Sequence, residues 1–162
     1  MIGLMTDHAN SAATRESRLI AAPPEKVWAA FMDPAALAEW LPPGTMTGKV
    51  HAFDPRAGGG YRMSLFYPAD EGDARGKTAA REDRFDVRFV ALDPPRRMVE
   101  AVTFESDNPD FRDEMTITVT FAPVGSGTQV TFCFESLPPG IRPEDNQEGT
   151  RLSLEQLARW LA

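Results

Sequence analysis

Apolar and polar residues alternate most cleanly in two neighbouring runs, Met115-Thr-Ile-Thr-Val-Thr-Phe121 and Val130-Thr-Phe-Cys-Phe134. A period of two places one apolar face on each run, which predicts two half-buried strands. Gly125-Ser-Gly127 between them predicts an antiparallel hairpin. After the hairpin the period changes. Leu154, Leu157 and Leu161 recur at helical spacing with Trp160 beside them, so Glu148 to Leu161 reads as a long helix with one apolar face. Its start lies anywhere from Pro143 to Glu148. An apolar helix face has to lie on something, and the hairpin is the nearest partner. The two either touch directly or enclose a pocket.

Earlier in the chain, Met1 to Thr14 has no period and reads as a loose tail. Ser17 to Ala21 is a short strand stopped by Pro23-Pro24. Pro24 suits a first helical turn, and Val27, Trp28 and Phe31 share one side of a helix from Pro24 to Phe31. Asp33 caps a second short helix, with Pro34 in its first turn and Leu37, Trp40 and Leu41 on its apolar side. Strands follow at Thr47 to Phe53 and Tyr61 to Tyr67, joined by Asp54-Pro-Arg-Ala-Gly-Gly-Gly60, and then at Phe85 to Leu92 and Met98 to Phe104. Pro68 to Asp83 and Ser106 to Asp113 are polar loops, the first a plausible mouth or lid. One strand, two short helices, about six strands and a long helix predict an α+β fold with segregated helices, one domain spanning residues 15–162.

Four segments in this order, Ala21-Ala-Pro-Pro-Glu-Lys-Val-Trp28, Asp33-Pro34 leading to Glu39-Trp40, Asp54-Pro-Arg-Ala-Gly-Gly-Gly-Tyr-Arg62 and Phe89-Val-Ala-Leu-Asp-Pro-Pro-Arg-Arg-Met98, resemble the START-like superfamily, also called SRPBCC or Bet v 1-like. The branch they resemble is that of the C-terminal domain of the activator of heat-shock protein 90 ATPase. Gly149-Thr-Arg-Leu-Ser-Leu-Glu-Gln-Leu157 is similar to that family's last helix. The resemblance implies a helix-grip fold, in which a curved antiparallel sheet of six to seven strands wraps the C-terminal helix. In many members an apolar ligand cavity lies between the two. The family usually carries an aromatic residue directly after the last-helix glycine; here Thr150 stands there, which implies a more open or more polar cavity wall.

Charge narrows the partners. Lysine plus arginine is 17 and aspartate plus glutamate 24, a net charge of −7. Such a surface repels phosphate backbones, so no nucleic acid partner is expected. No stretch reaches the ~20 apolar residues of a membrane helix, so no membrane insertion is expected either. Cys133 is the single cysteine, which excludes an intrachain disulfide and, with no secretory leader in Met1 to Ala13, points to the cytoplasm.

Candidate chemistry is sparse. His8 and His51 are the two histidines; neither they nor Cys133 build a metal set, and no cofactor is expected. A Ser-His-Asp triad would need His51, without any nucleophile-elbow motif. Gly58-Gly-Gly60 lacks the following helix and lysine of a phosphate loop and reads as a strand turn. Asp70, Glu71, Asp73, Glu82 and Asp83 lack calcium-loop spacing and read as a solvated cluster.

The apolar strand face, taken with the helices, assigns a pocket wall of Trp40, Phe53, Tyr61, Met63, Phe89, Met98, Glu100, Phe104, Met115, Ile117 and Leu157; the same pattern suits a filled core. Glu100 interrupts the apolar face of its strand. Either it is a polar handle or proton acceptor in a cavity, or strand parity slips and it faces solvent, which the cost of burying a carboxylate favours.

Three functions follow: non-catalytic binding of a small apolar ligand; a cyclase- or hydrolase-type enzyme using Glu100 or Tyr61; and a chaperone-interaction module. Homodimerisation through an edge strand is left undecided by the sequence.

Overall fold

A computed structural model of the chain describes residues 12–69 and 76–162. Strand β1 (Ala12–Ile20) leads into helices α1 (Pro24–Phe31) and α2 (Pro34–Trp40). Six strands follow: β2 (Thr47–Asp54), β3 (Gly60–Phe66), β4 (Glu82–Asp93), β5 (Arg97–Glu105), β6 (Met115–Val124) and β7 (Gly127–Leu137). Helix α3 (Pro143–Trp160) comes last. The strands form one antiparallel sheet in the order β1-β7-β6-β5-β4-β3-β2, curved around α3 in a helix-grip arrangement. No described helix is long and apolar enough to cross a membrane.

Local chemistry accounts for the helix ends. Pro24, Pro34 and Pro143 each stand in a first turn, where the missing N–H has no partner to lose. Asp33 Oδ1 accepts the Ala35 N–H at 3.0 Å. In α3, Glu144 and Asp145 lie at the positive end of the helix dipole and Arg159 at the negative end. The glycine turn before β3 is demanding. Gly60 has φ +154°, and a Cβ there would stand 1.8 Å from the Val87 carbonyl oxygen. Only glycine lets β3 approach β4 this closely.

Cross-strand rows put the apolar positions on the concave face. Tyr61, Val87, Val102 and Met115 are paired in one row. Phe89, Glu100, Ile117 and Phe134 form another. All but the carboxylate are buried hydrophobic groups, and each such Val, Met or Phe contributes about 1.5–3 kcal/mol on leaving water. Under α1 and α2 the core is aromatic. Phe31 packs on Trp40 and Phe121 with ring centroids 4.7 and 5.0 Å apart, and Trp40 Nε1 donates to Ala30 O at 2.9 Å.

Several sequence expectations need correction. β1 begins at Ala12, so Ala12 to Thr14 are strand rather than tail; Thr14 is buried and its hydroxyl donates to Asn146 of α3. Residues 1–11 lie outside the described residues. Trp160 is 48% exposed rather than part of the apolar face, while the α3 start at Pro143 falls at the early limit of the expected range. The loop from Ser106 contains a 3-10 turn, Pro109–Phe111. Glu82 and Asp83 belong to β4, not to a solvated cluster: Asp83 is buried and paired. Asp70, Glu71 and Asp73 lie outside the described residues.

Candidate ligand cavity

Helix α3 meets the core at its C-terminal half and is tied to β1 at its first turn, where Asn146 accepts the Thr14 hydroxyl. Leu154 and Leu157 are fully buried, whereas Asn146, Gly149, Thr150 and Ser153 line open space. These four positions follow i, i+3, i+4, i+7 spacing, one helix face. They are small or polar where a packed helix would carry leucine. The volume left between helix and sheet is a cavity of about 560 Å³, partly open to solvent.

Long-range hydrogen bonds hold the cavity's shape. Ser153 Oγ donates to Leu41 O at 2.6 Å, and Gln156 Nε2 donates to Trp40 O and Pro42 O at 2.8 and 2.7 Å. Gly44 N returns a bond to Gln156 Oε1 at 2.8 Å. The last residues of α2 are thereby pinned to α3, with Trp40 and Leu41 in the wall. The sheet supplies the opposite wall through Tyr61, Phe85, Val87, Val102, Phe104 and Met115, continued by Phe132 and Phe134.

Glu100 is the exception in that wall. The row through Phe89, Ile117 and Phe134 directs it inward, and it is 6% exposed. Its solvent-facing alternative is therefore overturned: strand parity holds, and the carboxyl enters the cavity wall. Among the described residues it has no hydrogen-bond or ion-pair partner. No fully enclosed side-chain polar atom lacks a partner there, so its oxygens are reached from the cavity. Desolvation pushes its pKa up to about 8. Tyr61 is also buried, and its phenol is raised well above the usual tyrosine range, by desolvation first and by the Glu100 charge second. At neutral pH both groups are mainly protonated.

The rim is built by the segment after residue 75. Asp83 accepts the Lys77 N–H at 2.6 Å, the Lys77 ammonium at 3.0 Å and the Tyr67 hydroxyl at 3.0 Å. The same ammonium stands 5.0 Å from the Phe104 ring centroid and 5.7 Å from that of Phe111.

Of the eleven residues assigned to the pocket from sequence, Trp40, Tyr61, Glu100, Phe104, Met115 and Ile117 line the cavity. Met63, Phe89, Met98 and Leu157 do not; they are packed in the core. Phe53 stands behind the wall with its ring stacked on Tyr61 at 5.4 Å. Sequence reasoning missed Asn146, Ser153, Tyr67, Lys77, Asp83 and Phe111. The signal for the α3 pair was the small-residue stripe; for Phe111 it was an aromatic isolated in a polar loop.

His51 does meet a serine: its Nε2 lies 2.8 Å from Ser64 Oγ. Ser64 is fully buried and its hydroxyl donates to Glu82 Oε2 at 2.6 Å. The carboxylate thus engages the serine instead of the imidazole, and no substrate can reach the hydroxyl, so this cluster is not a nucleophilic triad.

The family model described as Activator of Hsp90 ATPase homolog 1-like protein matches residues 21–162. Among solved structures, protein CV1439 from Chromobacterium violaceum is 34% identical over 94% of this chain and 97% of that one, with a TM-score of 0.80. Mll3558 protein from Rhizobium loti is 27% identical, covering 93% of this chain and 97% of its own, with a TM-score of 0.70. Ms6760 from Mycobacterium smegmatis, 19% identical over 93% of this chain and 90% of its own, has a TM-score of 0.72 and speaks to the fold alone. No functionally curated protein matches.

Proposed function

The chain belongs to the activator of Hsp90 ATPase homolog 1-like family, within the SRPBCC/Bet v 1-like superfamily, and from that premise we propose that it binds a small, largely apolar molecule beneath α3 without transforming it. The observation that carries this reading is the cavity of about 560 Å³ with its aromatic and methionine wall. That size and lining suit a drug-sized ligand held mainly by apolar contact, with few polar groups to orient it. Methionine at Met46 and Met115 adds an adaptable surface. Native mass spectrometry of gently purified protein tests the proposal. An added mass that is lost on denaturation supports it; a bare polypeptide, together with no uptake of any apolar probe, sinks it.

Glu100 favours a second reading. An unpaired carboxyl with a pKa near 8, beside a protonated phenol, has the character of a general acid–base group. On this reading the protein turns its ligand over, and Glu100→Gln abolishes the turnover while binding persists. Unchanged turnover in that variant disposes of it.

A further inference from the structure

Glu100 lies at the inner end of a chain of aromatic rings. Phe104 and Phe85 have centroids 5.8 Å apart, and Phe85 and Tyr61 6.4 Å. Tyr61 in turn lies close enough to feel the Glu100 charge. At the outer end the wall already receives a cation, because the Lys77 ammonium stands over Phe104. Ring faces attract ammonium groups, more strongly where water is excluded.

Resting on the cavity reading above, we propose that the ligand is an amphiphilic amine, whose ammonium pairs with the Glu100 carboxylate beside Tyr61 while its apolar part lies along Met115, Ile117 and Phe134. The carboxyl is 6% exposed, lines the cavity and has no partner among the described residues, so the wall holds a charge site without its counter-charge. The cations that line the cavity are already engaged, Lys77 with Asp83 and Arg142 with Glu144. An anionic head would therefore meet Glu100, Asp83, Asp145 and Glu148 with no free positive group among the described lining residues. The net charge of −7 draws cations toward the protein in the first place.

The groups around Glu100 set the pH dependence. β4 and β6 flank it with Phe89 and Ile117, β3 contributes Tyr61, and α3 brings Asp145 and Glu148 to the same cavity. In the empty site the carboxyl is mainly protonated below pH 8. Pairing with an ammonium therefore releases a proton, and affinity rises about tenfold per pH unit from pH 6 to 8 and then levels off. A neutral acceptor such as an alcohol or ketone would instead use the protonated carboxyl and weaken above pH 8.

The test is isothermal titration of the full chain with 4-phenylbutylamine, 4-phenylbutan-1-ol and 4-phenylbutanoate at pH 6, 7, 8 and 9. The expected result is an amine bound at least tenfold more tightly than the other two at pH 8, tightening from pH 6 to 8. In Glu100→Gln the amine falls to the level of the alcohol, while alcohol binding persists and reports an intact fold. Equal affinity for amine and alcohol at pH 8, an alcohol preferred at pH 8, or a flat amine profile overturns the inference and leaves the cavity reading standing. The wild-type profile decides even where the variant misfolds. Binding of none of the three overturns the cavity reading and this inference together.

Discussion

Replacing Glu100 by glutamine removes one titratable group from an apolar wall and keeps its size. The native carboxyl has a pKa of about 8 against an ordinary value of 4.5, raised by desolvation. Between those two values the native chain retains a proton that the unfolded chain has released. Stability of the wild type therefore falls as pH rises through this window, by about 1.4 kcal/mol per unit. Below pH 4.5 both states are protonated and the term vanishes; above pH 8 it is complete, at roughly 5 kcal/mol. Glutamine carries no such penalty. The variant should match the wild type near pH 4.5, exceed it by roughly 3 kcal/mol at pH 7, and by roughly 5 kcal/mol at pH 9. Urea unfolding of the ligand-free protein, followed by tryptophan fluorescence at half-unit steps from pH 5 to 9, measures this directly. The remaining acidic groups titrate alike in both proteins and cancel in the difference. A difference that stays flat within about 0.5 kcal/mol across the window would refute the burial argument and return Glu100 to solvent-like behaviour.

Other perturbations read other parts of the structure. Gly60→Ala drives a Cβ into the Val87 carbonyl at a backbone angle that side chains rarely adopt, and should cost about 3 kcal/mol or more, seen as a lowered Tm in calorimetry. Asp83→Ala strands Lys77 at the rim. Because both side chains of that pair are largely enclosed, a loss of about 3 kcal/mol is expected in denaturant titration. Thr150→Trp places an indole in the cavity wall, and should raise Tm while weakening uptake of an apolar probe at least tenfold, measured by titration of that probe. Trp40→Phe leaves the Ala30 carbonyl without its donor and should cost about 1–3 kcal/mol in the same unfolding assay.

Much of the fold was legible in local chemistry. The alternation from Met115 to Phe121 is a strand with Met115, Ile117, Val119 and Phe121 buried. Helix α1 spans the residues that its proline start and apolar spacing predict, and Asp33 caps α2 through its side chain. Alternation and capping are properties of a few neighbouring residues, so a sequence window contains them. The family resemblance added the wrap of sheet around helix, which no window holds.

The cavity was decided elsewhere. Glu100 looked solvent-bound because burying a carboxylate is costly, and its direction followed instead from strand register, which joins it to Phe89, Ile117 and Phe134. Asp83 looked solvated because its partners Tyr67 and Lys77 reach it only once the loop and β4 have folded together. Met63, Met98 and Leu157 share the apolar pattern of Met115 and Ile117, yet the first three are packed and the last two face open space. Nothing in the local pattern of strand or helix separates them. The separation comes from where α3 leaves space over the sheet: Gly149, Thr150 and Ser153 are small or polar on its cavity face, and bonds from Ser153 and Gln156 hold the helix to residues more than a hundred positions away. The sequence by itself determined which residues avoid water; only the tertiary structure decided which of them meet one another and which border a void, because that depends on the relative placement of helix and sheet, which distant contacts hold.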